Sequence, residues 1–166
     1  ALQLEEGQQR TPFETGLQPG ELLVQSVPAA NTGFGVNLIP NPSFETVDGS
    51  RPKHWVWDSR KTQSTFGIVP DTHSGDVAIQ ITNETATAPH VYGQLVLLGG
   101  LRLTPGETYT LSAYVKSEEP GRAWLGGGDG WWMRIGLRGT KGKWQRYTRT
   151  FTARNGDTTF PLMINT

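Results

Sequence analysis

Two short stretches of this 166-residue chain concentrate side chains able to grip a small polar ligand. In the first, His90, Tyr92 and Gln94 alternate, and a period of two puts all three on one face of an extended strand. In the second, Asp129 is followed by Trp131, Trp132 and Arg134. Neighbours in a strand point to opposite faces, so one of the two tryptophans shares a face with Arg134. Read as a strand, that one is Trp132, while Trp131 sides with Met133 and enters the core. Aromatic rings stack on flat C–H faces, and amide, imidazole, guanidinium and carboxylate groups hydrogen-bond to hydroxyl rims. The set describes a cleft for a ligand with apolar faces and polar edges.

Other chemistries are poorly provided for. The chain has no Cys, which removes thiolate catalysis, disulfides and Cys-based metal sites. Its three histidines, His54, His73 and His90, lack the close spacing of a catalytic metal site. No Gly-x-Ser-x-Gly elbow occurs. Glycoside hydrolysis needs two carboxylates about 5–10 Å apart across a cleft. Here Asp48, Asp71, Asp76, Glu118, Glu119 and Asp157 fall in predicted loops, and Asp129 alone adjoins the aromatic pair. The glycine run at 126–130 lacks the Lys-Ser/Thr ending and following helix of a phosphate cradle, and reads as a flexible loop at the cleft rim.

The elements that must hold these residues are strands. From Val36 onward, apolar and polar residues alternate in runs of five to ten, separated by Gly, Pro, Asn and Asp, the pattern of an antiparallel β-sandwich. About nine or ten strands are expected, the clearest at 77–82, 92–98, 108–116, 131–137, 144–152 and 158–164. No long helical period appears, so any helix should be a single turn. Thr104-Pro105-Gly106 and Asn155-Gly156 supply turn chemistry. Residues 7–35, polar and punctuated by Pro12, Pro19 and Pro28, read as an arm or linker with a possible strand at 21–27. Two units are expected, 1–35 as the arm and 36–166 as the sandwich. Lys plus Arg balances Asp plus Glu at 15 each, so no net field draws nucleic acid or an anionic membrane. Apolar runs such as 95–98 are far shorter than the roughly 20 residues of a membrane helix.

The run Asn37-Leu38-Ile39-Pro40-Asn41-Pro42-Ser43-Phe44-Glu45 resembles the opening strand of carbohydrate-binding modules of the family 4, 9, 16 and 22 group. Further landmarks follow in order: His54-Trp55, His73-Ser74-Gly75 before Val77, Pro105-Gly106-Glu107-Thr108-Tyr109, Leu111-Ser112-Ala113-Tyr114-Val115-Lys116, and Trp144-Gln145-Arg146-Tyr147. The similarity spans about residues 36–166 and implies a jelly-roll sandwich with a concave sheet. It also implies a secreted, non-catalytic module of a multidomain glycoside hydrolase or polysaccharide lyase, binding a β-glucan or xylan. In such modules Tyr92 falls where a cleft aromatic stands, and Trp131 or Trp132 takes the other aromatic position. Trp144 and Trp55 read as packing residues; Trp57 and Trp124 are left open.

The same resemblance implies a structural Ca²⁺ near the first strand, a cation that takes six to eight oxygens. Glu45 matches the carboxylate ligand, Ser43 and Val77 would offer carbonyls, and Ser74 a side chain. The customary last-strand Asp would precede Ala1. Leu2-Gln3-Leu4-Glu5-Glu6-Gly7 and Thr11-Pro12-Phe13-Glu14 look like the end of such a module placed at the front. That points to tandem modules, with the front strand completing its own sandwich or, in a strand-exchanged dimer, a neighbour's. Two other classes stay open: a spacer or attachment domain without sugar affinity, and a small β-sandwich hydrolase or lyase.

Overall fold

The computed structural model describes residues 2–6, 36–82, 93–117 and 123–165, and every regular element of any length among them is a strand. In chain order these are β1 (Leu2–Glu6), β2 (Val47–Asp48), β3 (Arg51–Pro52), β4 (Trp55–Asp58), β5 (Thr65–Val69), β6 (Ala78–Thr82), β7 (Gln94–Leu97), β8 (Thr108–Val115), β9 (Trp124–Gly127), β10 (Met133–Gly136), β11 (Gln145–Thr152) and β12 (Leu162–Asn165). The helical content among the described residues is two 3₁₀ turns, Asp129–Trp131 and Asn155–Thr158. The expected strand at 21–27 lies outside the described residues.

All pairings are antiparallel. One sheet has the order β1-β8-β11 and a second the order β10-β9-β12-β7-β4, while β2-β3 and β5-β6 form two-stranded ribbons. The two larger sheets face each other across one core. Leu95, Leu97, Leu125, Ile135 and Leu162 come from the five-stranded sheet; Tyr109, Leu111, Ala113 and Phe151 come from the three-stranded one. Period-two alternation accounts for this: in β7, Leu95 and Leu97 are buried while Gln94 and Val96 are half-buried on the opposite face. Phe151 stacks on Phe160 at 5.4 Å and lies 6.0 Å from Tyr109, tying the sheets together at one end. Trp55 is buried on β4 against Phe44, a core position rather than one beneath a surface loop.

The N-terminal strand does complete a sheet. β1 runs along the free edge of β8 from Leu2 opposite Ala113 to Glu6 opposite Tyr109. Leu2 is 2 % exposed, its N–H donates to the Pro42 carbonyl at 2.7 Å, and its carbonyl accepts from Asn37 Nδ2 at 3.1 Å. The strand thereby satisfies backbone groups that an open β8 edge would leave unpaired.

Two expectations need correction. The segment at 131–137 is not a strand throughout: Trp131 ends a 3₁₀ turn with φ of 59°, and the strand starts at Met133. The glycine run is not a flexible loop either. Gly126 and Gly127 belong to β9, where a Cβ would strike the carbonyls of Met133 and Pro161 respectively. Gly128 is buried at φ 84°, a conformation that favours glycine, with the Trp132 indole against it. Close backbone approach, not mobility, explains this composition.

Candidate functional site

Cross-strand register defines which side chains share the outer face of the five-stranded sheet. Partners in an antiparallel pair point the same way. Gln94 on β7 opposes Asp58 on β4 and Asn165 on β12; Asn165 opposes Trp124 on β9; Gly126, beside Trp124, opposes Arg134 on β10. Their neighbours Leu95, Ile164, Leu125 and Ile135 are the ones turned into the core. A band of polar and aromatic groups therefore crosses the sheet on its outer side.

These groups line a shallow cleft of about 190 Å³ bounded by Arg60, Gln94, Trp124, Trp131, Arg134, Met163 and Asn165. Its aromatic wall is Trp124 with Trp131, whose rings lie 6.2 Å apart at 56°. Arg134 packs over Trp124, with Cζ 5.0 Å from the ring centroid, and its Nε donates to the Trp131 carbonyl at 2.8 Å. Arg149, reaching from β11, donates to the Arg134 carbonyl at 2.6 Å and holds that strand from the other sheet. Gly136, opposite Trp124, leaves the sheet surface open beside the indole.

The floor carries an unmet polar group. Asn165 is 2 % exposed, and its Oδ1 accepts no hydrogen bond among the described residues, while its Nδ2 has a Met163 sulfur at 3.7 Å. Buried amide oxygens are seldom left so; this one is closed off from solvent, and a ligand hydroxyl would reach it only if the side chain turned toward the cleft. At the other end Gln94 Nε2 reaches Asp58 Oδ2 at 3.5 Å, and Asp58 Oδ1 accepts the Arg60 N–H at 2.8 Å, closing the loop that delivers Arg60.

Of the residues expected in a cleft, Gln94, Trp131 and Arg134 are brought together here. His90 and Tyr92 lie outside the described residues. Trp132 is placed elsewhere: its indole Nε1 donates to both oxygens of Asp157 at 3.2 Å, Arg154 Cζ stands 3.8 Å above the ring, and Phe151 meets its edge at 5.6 Å. The expected partnership of Trp132 with Arg134 fails because the 3₁₀ turn breaks the period of two just before Met133, so Trp131 joins Arg134 instead. Asp129 is exposed on that turn, and its backbone N–H approaches Asp157 at 3.4 Å. Trp124, Asn165 and Arg60 were not singled out by sequence reasoning. The available signal for the first two was strand parity, since each lies an even number of residues from Gly126 or Met163 on the outer face.

A larger cavity, about 750 Å³, opens between β6 and β8, with Ile79, Ile81, Val115, Leu125, Leu137 and Ile164 in its walls. Beside these aliphatic groups its lining also carries Gln80, Thr82 and Ser117. At its mouth His73 stacks on Tyr114 at 3.6 Å and meets Trp144 edge-on at 6.2 Å, while Lys116 and Asp71 form an ion pair. Loss of surrounding water lowers the His73 imidazole below its ordinary value.

The expected calcium ligands converge only in part. Ser43, Ser74 and Val77 border this larger cavity, and Glu45 reaches the same loop. Glu45 Oε1 is already engaged, accepting the backbone N–H of Asp76 at 3.0 Å and of Val77 at 3.4 Å. Among the described residues no three of His, Cys, Asp and Glu cluster as a metal site. The donors are of the hard oxygen kind that calcium takes, with one carboxylate among them.

Residues 36–166 match the family model CBM_4_9, a carbohydrate binding domain. No curated protein matches the chain.

Proposed function

This chain belongs to the CBM_4_9 carbohydrate-binding domain family, and from that membership we propose that it captures polysaccharide on the outer face of the five-stranded sheet, between the Trp124–Trp131 wall and the Asn165 floor. The domain is a binding unit and not a catalytic one. The carrying observation is the coincidence of two half-buried indoles with the amide residues Gln94 and Asn165 in one cleft. Indoles take the C–H face of a sugar ring; Asn165 Oδ1, turned toward the cleft, takes a hydroxyl, and Gln94 and Arg134 donate to others. A cleft open along the sheet suits a chain interior such as that of a β-glucan or xylan.

The role that follows is secreted targeting: the domain holds an appended polysaccharide-processing enzyme near its polymer and raises effective concentration without chemistry of its own. Individual affinity should be modest, in the micromolar to millimolar range, about −4 to −8 kcal/mol. A structural Ca²⁺ held by Glu45 with Ser43, Ser74 and Val77 would fasten the segment 43–45 to the 74–77 loop.

Affinity electrophoresis against soluble glucans, xylans, mannans and uronic polymers tests the reading. Retardation that disappears in Trp131→Ala, with folding intact, supports it. A folded protein retarded by none of these polymers would move the domain to a spacer or attachment role.

A further inference from the structure

We propose that the glycan held in this cleft carries a uronic acid, whose carboxylate is gripped by Arg134 and Arg60. The inference rests on the carbohydrate-binding reading and specifies its ligand.

The argument is one of uncompensated charge. Two guanidinium groups line a cleft of about 190 Å³, and its other lining residues, Gln94, Trp124, Trp131, Met163 and Asn165, bear no charge. Neither arginine forms an ion pair among the described residues, where Lys116 with Asp71 is the pair that does occur. Asp58 stands on the same face outside the lining, its carboxylate accepting the Arg60 backbone N–H and the Gln94 amide, so one negative charge stands against two positive ones. The whole chain is neutral, 15 basic against 15 acidic residues, so positive charge here is a local arrangement and not part of a general field.

Arg134 is also prepared for the task. Its Nε is spent on the Trp131 carbonyl, and its plane is fixed over Trp124 at 5.0 Å. The two terminal nitrogens make no hydrogen bond among the described residues. A guanidinium held by its Nε and by ring stacking loses little freedom when its outer edge takes a carboxylate in a two-pronged bond. Trp131 beside it receives the sugar ring that bears the acid. A neutral glucan would offer these arginines hydroxyl acceptors alone; a uronate would offer a charge as well.

The test is isothermal titration of the full chain with four hexasaccharides or their equivalents: cellohexaose, xylohexaose, xylohexaose bearing one glucuronic acid branch, and hexagalacturonate. The expected result is binding of an acidic ligand about tenfold or more tighter than its neutral counterpart, a difference that shrinks at high salt. Arg134→Gln should abolish the preference while the thermal transition stays in place, and Arg60→Gln should reduce it. Equal binding of acidic and neutral sugars, insensitive to salt and to Arg134→Gln, overturns the inference and leaves the carbohydrate reading standing. No binding to any sugar removes both readings together.

Discussion

The half-buried indole of Trp132 and the carboxylate of Asp157 form one unit, with Nε1 donating to both carboxylate oxygens at 3.2 Å. Asp157 is fully buried, and it also accepts the Arg154 N–H at 2.7 Å and approaches the Asp129 N–H at 3.4 Å. A single carboxylate thus ties the turn before β12 to the turn that presents Trp131. Asp157→Ala would leave these donors without an acceptor in a place water does not reach. The expected cost is about 2–4 kcal/mol, read as a fall in the midpoint of chemical denaturation. Trp132→Ala should cost a similar amount, about 2–3 kcal/mol, through lost packing on Phe151. Retention of wild-type stability by either variant would contradict the assignment of Trp132 to packing.

Trp131 and Trp124 stand on the other side of that turn and should behave oppositely. Each is half-buried with one side toward the cleft, so truncation to Ala removes a stacking surface more than a core contact. Titration calorimetry should show at least a tenfold loss of affinity, about 1.4 kcal/mol or more, with melting temperatures within a few degrees of the parent. Trp124→Ala has a second effect, since it frees Arg134 from its ring; salt dependence of binding should weaken with it. Unaltered affinity in both variants would place the sugar elsewhere.

Strands were legible because alternation and turn residues are local signals: Thr108–Val115 and Gln145–Thr152 fall where the apolar period of two places them. The site was harder to read at the one point where backbone conformation departs from that period. Trp131 adopts φ of 59° in a 3₁₀ turn, which shifts the parity of everything before Met133 and exchanges the roles of the two tryptophans. Nothing in Gly-Gly-Gly-Asp-Gly signals this, because the glycines are demanded by contacts with Met133, Pro161 and Trp132, all distant in sequence or fixed by folding. Asp157 was read as a loop carboxylate for the same reason: beside the local Arg154 N–H, its partners Trp132 and Asp129 come from 25 and 28 residues away.

His73 should give the fold a mild sensitivity to acid. Loss of water around the ring lowers its imidazole below the ordinary 6.5. The unfolded chain therefore takes up a proton first on acidification. The neutral ring's contribution is complete above about pH 6.5 and is lost as the pH falls through the lower folded value. His73 is largely exposed, so the change in thermal midpoint between pH 7.5 and pH 5 should be small, and His73→Phe, which keeps a ring on Tyr114, should flatten it. An unchanged pH profile in that variant would assign the sensitivity to other groups.

Glu45 allows a test of calcium that does not depend on sugar. Its Oε1 accepts the Asp76 and Val77 N–H groups, and Glu45→Gln keeps an acceptor oxygen there, so that variant should disturb the fold without Ca²⁺ by only about 1 kcal/mol. Ca²⁺ bound to the native state alone would add about 2.7 kcal/mol at one hundred times its dissociation constant. The expected outcome is a rise in melting temperature with Ca²⁺, reversed by EDTA and absent from Glu45→Gln. Identical melting with Ca²⁺ and with EDTA in the parent protein would leave Glu45 as a loop latch alone.

The first strand is the element whose removal should matter most for so few residues. β1 covers the β8 edge over five residue pairs and buries Leu2 almost completely. Deleting residues 1–6 would uncover the N–H and C=O groups of β8 along that stretch and open the core beside Ala113. An exposed edge of this length invites pairing with another chain. The shortened protein should melt lower, by several kcal/mol in stability, and associate at high concentration. A synthetic Leu-Gln-Leu-Glu-Glu peptide, extended by a residue or two at each end, should raise the melting temperature again by binding the folded form. Light scattering on the intact chain separates the two arrangements of this strand: a monomer at all concentrations means that it closes its own sheet, and a dimer that persists on dilution but vanishes with residues 1–6 means that copies exchange it.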